Sequence, residues 1–77
     1  MRVTINRVDG HVLVDGQVRD VDCESLPAYV SVIQWDDDAA AGWIEFINDG
    51  HGVFLPNSRI VDFAPYAYLI EAWEAAA

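Results

Sequence analysis

Apolar and polar residues alternate in short runs through most of the chain, and the period changes once, near the C-terminus. Over residues 2–7, Val3 and Ile5 share one side and Thr4 and Asn6 the other, the period of a half-buried strand. Two Val-Asp-Gly units follow, Val8-Asp9-Gly10 and Val14-Asp15-Gly16. Asp-Gly between β-branched residues signals a hairpin, because both residues tolerate the positive φ of a primed turn. These units mark out strands at 11–14 and 17–21, which with the first make a meander.

The strongest pattern is a pair of apolar runs facing each other across Asp36-Asp37-Asp38-Ala39-Ala40-Ala41. They predict strands at 29–35 and 43–47, joined as a hairpin. Any register that puts Ile33 and Trp35 with Ile44 and Phe46 leaves Val32, Gln34, Trp43 and Glu45 on the opposite side. The first set is uniformly apolar and the second mixed, so Trp35 belongs to the core and Trp43 to the more exposed side.

Between meander and hairpin lies a link, Asp22-Cys23-Glu24-Ser25-Leu26-Pro27. Pro27 has no N–H to donate, and Ser25 is placed to cap one short helical turn. After the hairpin, Asn48-Asp49-Gly50-His51-Gly52 reads as a turn. A short strand is expected at 53–55, ended by Pro56. Asn57-Ser58 then turns the chain, and residues 59–63 lead to the last element.

There the period becomes helical. Tyr66, Leu69, Ile70 and Trp73 recur at i, i+3, i+4 and i+7, a single apolar stripe, with Pro65 suited to the first helical position. A helix is expected at 65–76, with Trp73 packing beside Trp35 beneath it. The expected fold is a single α+β domain over residues 1–77. It is a bent antiparallel sheet, or a partly open small β-barrel, of about five or six short strands with one C-terminal helix.

Composition suits so small a domain. A chain of 77 residues buries only roughly 60% of its unfolded surface. The 53% of hydrophobic residues, with three Trp, three Tyr and three Phe, supply a dense core. Charge changes the functional picture more. Thirteen acidic residues oppose four basic ones, for a net charge of −9. Nucleic acids and anionic membrane surfaces are therefore disfavoured as partners, and basic protein surfaces are favoured. A lone cysteine, Cys23, cannot form an internal disulfide. Residues 1–6 lack the apolar core of a signal peptide, and no run approaches the roughly 20 apolar residues of a membrane span. The cytoplasm is the expected location.

Candidate chemistry is sparse. Asp36, Asp37 and Asp38 offer hard oxygen ligands, but a calcium loop alternates its ligands and closes on a bidentate acid. Here three alanines follow, and only Glu45 remains to close a site. The three charges are better read as keeping the hairpin tip soluble and discouraging edge pairing. His11 and His51 lack zinc-ligand spacing. Ser25, Ser31 and Ser58 lie in no nucleophile elbow, and Asp22 and Glu24 beside Cys23 raise a thiol pKa rather than lower it. Neither catalytic residues nor a cofactor are expected. The candidate binding residues are Trp43, Gln34 and Glu45 with Asp36, Asp37 and Asp38, an exposed indole beside acids that suits a partner with a basic rim.

The segment Leu26-Pro27-Ala28-Tyr29-Val30-Ser31-Val32-Ile33-Gln34-Trp35, then Gly42-Trp43-Ile44-Glu45-Phe46, preceded by Val14-Asp15-Gly16 and followed by Trp73, resembles a group of small proteins. These are largely uncharacterised bacteriophage and prophage proteins encoded near tail and tail-fibre genes. The triple Asp and the alanine run depart from the shorter turn of that pattern. The resemblance implies a phage-encoded accessory protein, non-enzymatic, that binds a phage structural or assembly protein in the host cytoplasm or on the virion. Two other classes remain open: an acidic inhibitor occupying the basic surface of a host DNA-binding protein, and a small metal-dependent enzyme. A homodimer formed through a free edge at residues 2–6 is a further expectation.

Overall fold

In the computed structural model, which describes residues 1–47 and 58–76, six antiparallel strands form one open sheet with a helix on one side. The strands are β1 (Arg2–Asn6), β2 (His11–Val14), β3 (Gln17–Asp20), β4 (Val30–Asp36), β5 (Ala41–Phe46) and β6 (Ser58–Ile60). Their order across the sheet is β3-β2-β1-β4-β5-β6, with β3 and β6 at opposite edges, so the sheet is open rather than closed into a barrel. A 3-10 turn (Ala64–Tyr66) leads into α1 (Ala67–Ala75).

Turn chemistry places the strands. Asp15 and Gly16 have φ of 49° and 86°, the left-handed pair of a two-residue primed turn between Val14 and Gln17. The β1–β2 connection is a four-residue loop, Arg7 to Gly10, between the paired residues Asn6 and His11, and Gly10 closes it at φ 70°. The β4–β5 loop has the same length, Asp37 to Ala40 between Asp36 and Ala41, and its last residue is also left-handed, but there it is Ala40, at φ 49°. A non-glycine residue in that region carries roughly 1–3 kcal/mol of strain. Ala40→Gly removes it at the cost of a more flexible unfolded chain. A net gain of about 0.5–1 kcal/mol is expected, read as a thermal midpoint higher by a few degrees.

Pairing of β1 with β4, Val3 opposite Trp35 and Ile5 opposite Ile33, places β1 in the middle of the sheet. The expected free edge at residues 2–6 therefore does not exist, and with it goes that route to a dimer. Residues 53–55, expected as a strand, lie outside the described residues. Ser58, expected in a turn, instead begins β6, where Ser58, Arg59 and Ile60 pair with Ile44, Trp43 and Gly42.

The core lies between the sheet and a layer made of α1, the 3-10 turn and the link between β3 and β4. Val3, Ile5, Val12, Val14, Ile33 and Trp35 point into it from the sheet. Val21, Cys23 and Leu26 enter from the link, and Phe63 and Leu69 from the C-terminal segment. The expected stripe holds: Leu69 is buried, with Tyr66, Ile70 and Trp73 packed against the core. Pro65 falls in the 3-10 turn rather than at the start of α1, and the Ala64 N–H that opens this turn donates to Asp62 Oδ1 at 3.0 Å. Ser25 does not cap a helix; its hydroxyl shares a 2.7 Å hydrogen bond with that of Tyr68 and ties the link to α1.

Trp35 and Trp73, expected to pack together, part company: Trp35 is buried and Trp73 only partly so. Trp35 stacks on Phe63, ring centroids 5.5 Å apart and planes 14° from parallel. Trp73 packs instead on Arg19, whose Cζ stands 3.7 Å from its ring centroid. Arg19 Nη1 donates to the Trp73 carbonyl at 2.8 Å, and Trp73 Nε1 donates to the Gln17 carbonyl at 3.0 Å. This clamp fastens the end of α1 to the β3 edge.

Candidate functional site

Side chains alternate across a sheet, so the register that buries Val3, Ile33 and Trp35 assigns every other strand residue to the face away from α1. Strand pairing lines up Val18, Leu13, Thr4, Gln34, Trp43 and Arg59 in one row that crosses all six strands. On one side of it lies the row Asp20, His11, Asn6, Val32, Glu45; on the other lie Arg2, Asp36 and Ala41. None of these residues is buried. The face is open.

Trp43 stands on it with 44% of its surface exposed, whereas Trp35 retains 7%. The separation expected for this pair is what the fold contains. Gly42, between Trp43 and the loop, lies opposite Trp35, so the core-side indole faces a strand position without a side chain. An open cleft of about 460 Å³ runs along one side of Trp43, lined by Asp36, Ala39, Ala41, Gly42 and Arg59. A second, of about 320 Å³, lies on the other side, bordered by Gln34, Arg2 and again Asp36. The indole is a ridge between two hollows.

Gln34 is fixed from β1: Thr4 Oγ1 donates to Gln34 Oε1 at 2.8 Å. Asp36 is engaged twice, its Oδ1 accepting the Asp38 N–H at 3.0 Å and its Oδ2 lying 3.6 Å from Arg2 Nε. The Arg2 side chain is 84% exposed, and an ion pair so solvated contributes less than about 1 kcal/mol. Of the six expected site residues, Trp43, Gln34 and Asp36 therefore meet at the clefts. Glu45 shares the face but lies in the next row, opposite Val32. Asp37 and Asp38 line neither cleft and sit at the loop tip, the Asp37 N–H donating to the Met1 carbonyl at 2.9 Å. Arg59, Arg2, Val18 and Leu13 join the face through strand pairing alone.

A third hollow, of about 370 Å³, is bordered by Asp9, Asp20, Asp22 and Glu24 beside Cys23. Burial raises the Cys23 thiol above its ordinary pKa, the Asp22 carboxylate adds to the rise, and the Arg7 guanidinium offsets part of it. The protonated thiol donates to the Val21 carbonyl at 3.4 Å. A neutral, buried thiol is a poor nucleophile. Among the described residues, no group of three His, Cys, Asp or Glu side chains is placed to hold a metal ion, and no helix is long and apolar enough to cross a membrane. No family model, curated protein or solved structure matches the chain.

Proposed function

We propose that this chain is a non-enzymatic protein-binding module, a phage- or prophage-derived accessory protein that engages a phage structural or assembly protein through the open face of its sheet. The observation that carries the binding role is Trp43, a large aromatic side chain left 44% exposed between two clefts on a face with no buried residue. Tryptophan is enriched where binding energy concentrates, and folding alone gives no reason to leave one there. The phage setting, and with it a place in the host cytoplasm or on the virion, rests on the resemblance of the Leu26–Trp35 and Gly42–Phe46 segments.

The acidic-inhibitor reading draws less support. Its carboxylates would lie along one face, whereas Asp62, Glu71 and Glu74 belong to the helix layer and Asp20 and Glu45 to the open face.

Affinity capture from a lysate of an induced lysogen tests the proposal. Wild-type protein should retain a phage structural or assembly protein, and Trp43→Ala should lose it. The thermal midpoint of that variant should stay nearly unchanged, since truncating a half-exposed side chain costs less than about 1 kcal/mol. Equal capture by both proteins would remove Trp43 from the binding site.

A further inference from the structure

The chain carries a net charge of −9, yet the row crossing the middle of the open face contains no carboxylate. Val18, Leu13, Thr4, Gln34 and Trp43 are neutral, and the row ends in Arg59. Acids stand on both sides of it. Asp20 and Glu45 occupy the neighbouring row at one flank, and Asp36 leads into the Asp36-Asp37-Asp38 loop at the other. A neutral, partly apolar strip between two acidic margins has the layout of an interface core and its rim.

That layout discriminates between occupants. A second copy docked face to face would bring acidic margins against acidic margins, a repulsion that interfaces avoid. An anionic membrane is repelled in the same way. A segment with an apolar stripe and Lys or Arg along both flanks meets the strip and its acidic margins with their complement; Arg59 at the end of the row and Arg2, paired with Asp36, lie outside that match. From Val18 to Trp43 the strip crosses five strands, and at a spacing of about 4.8 Å it is about 19 Å long. At about 1.5 Å per residue, that is the length of roughly 13 residues of α-helix.

Building on the protein-binding role above, we infer that the occupant of the open face is a cationic amphipathic helix of a partner protein. Its apolar stripe lies along the Val18-to-Trp43 row, and its basic flanks pair with Asp20 and Glu45 on one side and the Asp36–Asp38 loop on the other. The Trp43 indole fills a gap in the stripe, and the clefts on either side of it receive the neighbouring aliphatic side chains.

The probe is a synthetic helix of about 18 residues with a leucine stripe flanked by lysines, beside a counterpart with glutamates in place of the lysines. Both are titrated into the full chain by calorimetry. The leucine–lysine peptide should bind one to one, more weakly as salt rises from about 50 to 300 mM, and the leucine–glutamate peptide should not bind. Trp43→Ala and Val18→Asp should each weaken binding about tenfold or more. Asp36→Asn combined with Glu45→Gln should weaken it and flatten the salt dependence. The triple change Asp62→Asn, Glu71→Gln, Glu74→Gln removes more charge, all of it from the helix layer on the other side of the sheet, and should leave affinity unchanged. If the triple variant lost as much affinity as the face variants, attraction would be to net charge alone and the inference would fall. Equal, Trp43-dependent binding of both peptides would overturn the cationic occupant while keeping the binding face. Binding indifferent to Trp43→Ala and Val18→Asp would overturn the binding face itself.

Discussion

Trp35→Ala is expected to unfold the domain or to remove about 3–5 kcal/mol of its stability. A domain of this size has roughly 4–12 kcal/mol in total, so the variant stands at the edge of folding. The reason lies in what the indole joins. It is 7% exposed, follows the fully buried Ile33 by two positions on β4, and stacks on Phe63, which in turn meets the Tyr66 ring with centroids 5.9 Å apart. Removing it empties the space between the sheet and the segment that delivers α1, and Phe63 loses its stacking partner. Trp35→Phe keeps an aromatic ring against Phe63 and should cost well under half as much. Urea unfolding followed by far-UV circular dichroism reads both. The comparison with Trp43→Ala decides the assignment of faces: equal midpoints for the two alanine variants would mean that the two tryptophans do not lie on opposite sides of the sheet.

The separation of these tryptophans was legible from spacing alone, because a period of two leaves no freedom once Ile33, Trp35 and Ile44 are put together. The Asp15-Gly16 turn was legible for a similar reason, since few residue pairs accept two positive φ values. Other features have no local signature. Strand order depends on β1 pairing with β4, some thirty residues away, and nothing within Arg2–Asn6 distinguishes a central strand from an edge. The register shifts between Val30 and Val32, so Val30 is buried on the same side as Ile33. Valine at both positions hides that extra residue from any alternation count. Strand β6 has three residues, too few to show a period. The Arg19–Trp73 clamp joins residues 54 positions apart, and spacing within a helix could only place Trp73 on the buried stripe. On the open face, Trp43, Gln34 and Asp36 were legible as neighbours on one hairpin. Val18 and Arg59 were not, because only the complete order of strands puts them in line with Trp43.

Gly42→Ala should destabilise the protein by about 2–4 kcal/mol, more than the propensity change of adding one methyl group. A Cβ at Gly42 would lie 2.0 Å from the Gln34 carbonyl oxygen and 3.0 Å from both Gln34 C and Trp35 Cα. All three are backbone atoms of β4, so no rotamer change can relieve the overlap, and the two strands must move apart or slip. Gly16→Ala provides the control. Gly16 has φ 86° and nothing within 4 Å of an added Cβ, so alanine there meets strain but no collision and should cost about 1–2 kcal/mol. A larger loss at Gly42 than at Gly16, read from urea midpoints, identifies close approach of the backbones as the cause; equal losses would contradict it. The effect should also reach the open face. Gln34 and Trp43 are direct cross-strand partners, and separating their strands displaces the indole from the clefts it divides. Gly42→Ala protein that remains folded at low temperature should therefore bind the leucine–lysine helix more weakly than wild type, although position 42 adds no side chain to that face.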